Sequence, residues 1–355
     1  MPAQRGGWAL HKSICVCLLA ALTLAAAPAL AAPPAPAKVT PELIAAAQKE
    51  GHVIWYTSAE LGLVEAVAKA FEAKYPGISV QLERSGAERN FQRIAQEYAS
   101  NIHAADVIDS SDTSNFLSWK HDGLLAPYVP DSMAYVPQSY RDPDGLYASW
   151  RATLSVMGYN TNLVQPGDAP KSFADLLDPK WDGKLVKAHP GYSGTIMTAT
   201  YEMSRDLGWP YFEKLAQQHV MQTQSANDPA RKLEAGERAV SVDGVESLLL
   251  TEKARGAPIA PIYPAEGTPF IAGSVGVMKD APHPNAARLY ESYLFSHETQ
   301  QLITDIGALR SFDPTVKERP DCPPLKSIKL MRDDPQATLA HSDEIKQKYA
   351  QYFGI

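Results

Sequence analysis

Between Ile259 and Ile306 the residue pattern leaves few folds open. An apolar extended run, Ile259 to Tyr263, stops at the turn residues Pro264 to Gly267. A β-branched run from Phe270 to Met278 follows, and Pro282 and Pro284 then open an amphipathic helical pattern. Strand, turn, strand and helix in this order place one acidic residue, Glu266, between two extended segments.

The same alternation runs through the rest of the chain. His52 to Thr57 reads as a strand, and Leu63, Val64, Val67, Ala68 and Phe71 recur at helical spacing before Pro76. Ile78 to Leu82 predicts a second strand, Arg89 to Ser100 a helix, and Ala105 to Asp109 a third strand. A second unit begins near Trp150, with an extended run from Thr153 to Tyr159, a strand over Leu185 to Ala188, a helix opened by Ser193-Gly194-Thr195, and a strand over Ala239 to Val242. Strands alternating with helices imply an α/β protein built on largely parallel sheets. Its length of 355 residues is enough for two lobes of ordinary size. Extended connections near residues 151–159 and 261–276 would cross between them and act as a hinge.

The first 31 residues read as an export signal rather than as part of the fold. Arg5 and Lys12 precede the apolar run Ile14 to Leu24, and Ala29-Leu30-Ala31 supplies the small-x-small cleavage pattern. That run is shorter than the ~20 apolar residues a membrane span needs. Residues 32–39, rich in Pro and Ala, are expected to be a disordered lead-in. Position 32 is Ala, so the lipid-bearing cysteine of an anchored protein is missing there. Cys15 and Cys17 would leave with the signal and only Cys322 would stay, which allows no internal disulfide and no cysteine metal site. The net charge of −7 and the lack of any dense Lys/Arg cluster argue against a nucleic-acid partner.

Ligands of open α/β sheets sit beyond the carboxyl ends of the strands. Here those ends carry Tyr56-Thr57-Ser58, Arg84, and Ser110-Ser111, with Thr153 at the start of the second unit. Ser193-Gly194-Thr195 at a helix start offers free N–H groups to an anion, and Gly194 allows a close backbone approach. Arg84 and Arg151 could pair a phosphate, phosphonate or carboxylate, with Arg151 the more exposed of the two. Asp243 and Glu266 point instead to an amine, so both charge types together suit a zwitterion. Tyr56 and Tyr263 could stack on a ring or face a cation, whereas Trp55 alternates into the core. The histidines show no metal-ligand spacing, and no nucleophile elbow, phosphate loop or dinucleotide fingerprint is present. Neither a cofactor nor a catalytic centre is therefore expected.

Several runs resemble one family in order and spacing. They are Phe71 to Val80 (FEAKYPGISV), Ala105 to Val107 (ADV), Tyr159 to Thr161 (YNT), Leu177 to Lys184 (LDPKWDGK), Ala281 to Arg288 (APHPNAAR) and Ser296 to Gln301 (SHETQQ). The chain is similar to the periplasmic solute-binding proteins of ABC importers, in the subfamily of ferric-iron, thiamine and phosphonate binders. The resemblance implies a type 2 periplasmic binding fold, with residues 40–152 and 267–355 as lobe one and 153–266 as lobe two. It puts the turn holding Glu266 beside the ligand cleft. The last 45 residues, punctuated by prolines and then helical in pattern, read as a strap over lobe one. The resemblance also implies a monomer that captures a small solute and hands it to an inner-membrane permease. Ferric-binding members carry adjacent tyrosines where this chain has Asp243, Gly244, Val245 and Glu246. Phenolates suit Fe(III), so this departure favours an anionic or zwitterionic solute over iron. Ferric iron or an iron chelate remains the alternative, as does a role in presenting ligand to a signalling receptor.

Overall fold

The computed structural model describes residues 34–355, so the export signal expected over residues 1–31 lies outside it. Thr40 caps the first helix, α1 (Pro41–Glu50), by accepting a hydrogen bond from the Leu43 N–H, and Gly51 ends it at φ 78°. β1 (His52–Thr57), α2 (Leu61–Lys74), β2 (Ser79–Arg84), α3 (Ala87–Ala99), β3 (Val107–Ser110), α4 (Ser114–His121) and β4 (Leu125–Ala126) follow. β5 (Ala148–Leu154) leads directly into β6 (Met157–Asn160), and then come β7 (Leu185–Ala188), α5 (Gly194–Leu207), α6 (Trp209–Ala216) and β8 (Met221–Thr223). α7 (Asp228–Glu234), β9 (Val240–Ser241), α8 (Glu246–Ala254), β10 (Ile259–Ile262) and β11 (Phe270–Met278) precede three closing helices. These are α9 (Pro284–Leu294), α10 (His297–Gly307) and α11 (Pro335–Phe353).

The strands form two sheets, one ordered β2-β1-β3-β11-β4 with β5 also paired to β11, the other β10-β6-β9-β7-β8. Each sheet anchors its own lobe. β1 runs parallel to β2 and β3, and β7 parallel to β8 and β9. β11 is antiparallel to β3, β4 and β5, and β6 is antiparallel to β9 and β10. Each sheet is thus mixed rather than mainly parallel, because the strands that enter and leave a lobe run against those inside it.

The helical stripe on α2 is the buried face observed: Leu63, Val64, Val67, Ala68 and Phe71. Phe71 packs with Trp55, Trp150, Val275 and Tyr290 in the core under the first sheet. A second core gathers Met157, Leu185, Phe212, Leu215 and Val240 under the other sheet. Truncating a ring such as Phe71 to Ala in a core of this kind costs about 3–5 kcal/mol.

Two crossings join the sheets, from β5 to β6 and from β10 to β11. A third passage comes with the C-terminus. Thr268 bridges Leu330, and α11 packs on α5, α6 and α4, with Tyr349 inserted into the second core. The strap therefore clasps elements of both sheets instead of lying over the first lobe alone, because its buried Tyr349 packs into the second core beside His189 and Phe212. The lead-in also differs from expectation. The Ala37 N–H donates to the Val129 carbonyl, and the Ala37 carbonyl accepts from the Asp131 N–H, which orders a segment whose side chains offer little.

Candidate functional site

A crevice of about 410 Å3 opens where the two sheets face each other. Of the residues expected there, Ser58, Arg84, Ser111, Arg151, Thr153, Ser193 and Thr195 line it. Strand ends explain the convergence. β1 delivers Ser58, β2 ends on Arg84 and β3 is followed by Ser111, while β5 carries Thr153 on the crossing and α5 starts at the edge of the opposite lobe.

Asp109, fully buried on β3, organises the floor. Its Oδ1 accepts from Thr57 Oγ1 at 2.8 Å and the Ser58 N–H at 2.9 Å, and its Oδ2 accepts from Trp150 Nε1 at 2.7 Å. Ser58 Oγ stands 3.3 Å from Asp109 Oδ1 and accepts the Ser111 N–H at 2.9 Å. Arg151 donates Nε and Nη2 to the same carboxylate, with the shortest contact at 3.1 Å. Arg151 was expected to be exposed, yet only 4% of it is accessible, and that part faces the crevice. The sequence hides this because its counter-ion is 42 residues away.

The crevice wall carries the guanidinium groups of Arg84 and Arg89 alongside the acids Glu60 and Asp228. Arg84 gives its Nε to the Ala59 carbonyl and Arg89 gives Nη2 to Gln224 Oε1, and neither has a carboxylate partner among the described residues. Burial lowers the pKa of Arg84, the Glu60 carboxylate opposes that, and the nearby Arg231 and Arg89 charges add to it. An anion placed there relieves the repulsion between like charges. By contrast Arg255 is paired with Glu252 at 2.7 Å. Arg89 escaped sequence reading because α3 begins at Ala87, which places Arg89 in the first turn facing across the gap. Tyr192, 46% exposed and just ahead of Ser193, also lines the crevice and went unnoticed. An aromatic residue directly ahead of the Ser193-Gly194-Thr195 helix start was the available signal.

Seven expected residues serve other ends. Tyr56 is fully buried and donates its hydroxyl to Glu97 at 2.8 Å, with the Arg93 guanidinium 4.4 Å from the ring centre. β1 is covered on both faces, so alternation could not assign one of them to solvent. Thr57 is consumed by Asp109, and Ser110 Oγ accepts from the Asp112 N–H and Asn115 Nδ2 in a turn. Asp243 forms a buried pair with Lys187 at 2.5 Å and accepts the Ala188 N–H. Tyr263 donates to Glu246 at 2.7 Å, and Glu246 in turn holds Arg310. Glu266 accepts the Phe173 and Ala174 N–H groups at 3.0 and 2.9 Å, which caps a short helical turn. Gly194 does allow a close approach, but to Asp112 and Ala87 of the facing lobe. Ser193 both lines the crevice and caps α5, with Oγ 3.4 Å from the Ile196 nitrogen.

A two-lobed α/β body with a polar crevice between its sheets is the architecture of periplasmic binding proteins. The chain belongs to the family of bacterial extracellular solute-binding proteins, whose family model matches residues 103–327. Members of this family are binding proteins rather than enzymes. Among solved structures it is similar to the periplasmic binding protein AfuA from Actinobacillus pleuropneumoniae with fructose 6-phosphate bound. The TM-score is 0.78 at 26% identity, covering 86% of this chain and 99% of AfuA. The probable ABC transporter periplasmic-binding protein y4fP of Sinorhizobium fredii is 27% identical over 234 residues, which is 62% of this chain and 63% of that protein. Iron uptake protein A1 of Synechocystis is 24% identical over 242 residues, 64% of this chain and 66% of that protein.

Proposed function

We propose that the chain is the periplasmic substrate-binding component of an ABC importer, closing on a small anionic solute that bears a phosphate or phosphonate group. The observation that carries the reading is the pair of guanidinium groups, Arg84 and Arg89, left without carboxylate partners on the crevice wall. Charge-assisted hydrogen bonds to such groups are the strong ones, and arginine matches the oxygens of a phosphoryl group in pairs. The likeness to AfuA, which holds fructose 6-phosphate, supports the anionic solute, and the likeness to y4fP the importer role. Ser111, Thr153, Ser193 and Thr195 supply hydroxyls around the bound group, and Tyr192 a face for an apolar edge of the solute.

The zwitterionic variant loses its original support, because Asp243 and Glu266 are spent inside the second lobe. Glu60 and Asp228 at the crevice edge are the acids that could meet an amine. Rotation about the two crossings shifts the population toward the closed form by the solute's differential affinity, with tenfold preference worth about 1.4 kcal/mol. Closed protein then delivers its solute to an inner-membrane permease.

Calorimetry with fructose 6-phosphate, 2-aminoethylphosphonate and ferric citrate tests the reading. Micromolar or tighter binding of a phosphoryl or phosphonyl solute is expected. Binding of ferric citrate alone would transfer the protein to iron uptake, as the likeness to iron uptake protein A1 would then suggest.

A further inference from the structure

The floor of the crevice holds a guanidinium that is fixed before any solute arrives. Arg151 sits on the crossing strand β5 with Nε and one Nη2 proton committed to Asp109, at 3.2 and 3.1 Å. An arginine carries five N–H donors in a rigid fork, so the Nη1 edge keeps its protons, and Nη1 makes no hydrogen bond among the described residues. Gly273, its direct partner on β11, leaves the space that the guanidinium occupies. A Cβ at 273 would lie 2.9 Å from Arg151 Cζ and 3.0 Å from Nη1. The same carboxylate ties down the end of β1 through Thr57 and Ser58.

We propose that Arg151 donates its Nη1 edge to the anionic group of the solute, and that Asp109 is the positioning residue that presents it. This rests on the reading of an anionic solute. Three observations meet in it: a fork with one edge held and one edge free, a backbone position that tolerates no side chain, and a place on the strand that crosses between lobes. A long side chain ordinarily loses rotamer freedom when it binds, and here that freedom is already gone. Asp109 also neutralises the Arg151 charge, so attraction at long range falls to Arg84 and Arg89 while Arg151 fixes the orientation of the bound group. The crossing carries this contact directly to the joint about which the lobes turn.

The test is a double-mutant cycle read by calorimetry with fructose 6-phosphate, with 2-aminoethylphosphonate and inorganic phosphate as further probes. Lysine keeps the charge that Asp109 needs but lacks the fork. Arg151→Lys is expected to weaken binding about tenfold or more, and Asp109→Asn to do the same in the wild-type background. In the Arg151→Lys background Asp109→Asn is expected to cost little more, since it acts through a fork already absent. Unchanged affinity in Arg151→Lys would overturn the contact. An equal factor for Asp109→Asn in both backgrounds would overturn its positioning role and leave it a structural carboxylate. Failure of wild-type protein to bind any of the three probes would remove the anionic reading and this proposal together. Should Asp109→Asn not fold, the Arg151 Nε–H resonance of ligand-free wild-type protein decides the positioning: a resolved, slowly exchanging signal is expected, and a solvent-averaged one contradicts it.

Discussion

Gly194 lies against Asp112 so closely that a Cβ at position 194 would be 2.7 Å from the Asp112 Cβ. The Ala87 Cβ would be only 2.9 Å away. Asp112 and Ala87 belong to the first lobe and Gly194 to the second, so this is a contact the lobes make only when they are together. Gly194→Val should wedge them apart. Its backbone is ordinary helix, so the fold itself should tolerate the change. Solute affinity is expected to fall tenfold or more if closure loses about 1.4 kcal/mol. Small-angle scattering should show a larger particle that no longer compacts with solute.

The unpaired arginines give a second expectation. Arg84→Ala and Arg89→Ala break no ion pair, so each should change stability within about 0.5 kcal/mol. Affinity for an anionic solute should nonetheless drop, and its dependence on salt should weaken with each charge removed. Calorimetry at two ionic strengths separates these effects. Equal salt dependence in wild type and the double variant would rule out the wall as the source of attraction.

The expected residues that line the crevice stand mostly at strand ends and one helix start, and these positions were legible because strand termini are set by local pattern. Ser58, Arg84 and Ser111 follow apolar runs whose ends are marked by hydroxyls and turns. What stayed hidden was the partner of each polar group. Nothing near Asp243 announces that Lys187 lies beside it, and nothing near Arg151 announces Asp109, since each pairing crosses strands far apart in sequence. Glu266 illustrates the same limit. Its turn was located correctly, while the N–H groups it caps come from residues 173 and 174. The C-terminal helix was foreseen, but its choice of surface depends on a socket for Tyr349 that only tertiary packing creates.

The Lys187–Asp243 pair should behave as an internal strut. Lys187 is fully buried, so burial pulls its pKa down while Asp243 opposes that. Lys187→Met or Asp243→Asn alone is expected to cost about 3–5 kcal/mol, because each leaves a polar group without its counter-charge. The paired change Lys187→Met with Asp243→Leu should recover most of that loss in denaturant unfolding. Solute affinity of the folded paired variant should match wild type. A large loss of affinity would return Asp243 to the binding site.

Stability should also depend on pH through acids buried near the lobe contact. Burial raises Asp112 to about 6, and burial together with the Asp112 charge raises Asp333 to about 7. Glu202 is raised as well, first by burial and then by the Asp333 charge. A carboxyl whose folded pKa lies above its unfolded value stabilises fully below the unfolded value and loses that stabilisation as pH climbs through the folded one. The contribution of Asp333 is therefore greatest near pH 4 and gone above about pH 7. Asp333→Asn should flatten the fall in unfolding free energy between about pH 4 and 7 measured in guanidinium. A slope equal to wild type would contradict the assignment.

Native mass spectrometry of the protein taken from the periplasm of its own cells asks most directly what the crevice holds. One phosphoryl- or phosphonyl-bearing solute per chain is expected, absent from an Arg84→Ala, Arg89→Ala double variant prepared alongside. An iron ion, a neutral sugar, or an anionic solute retained equally by both proteins would contradict it.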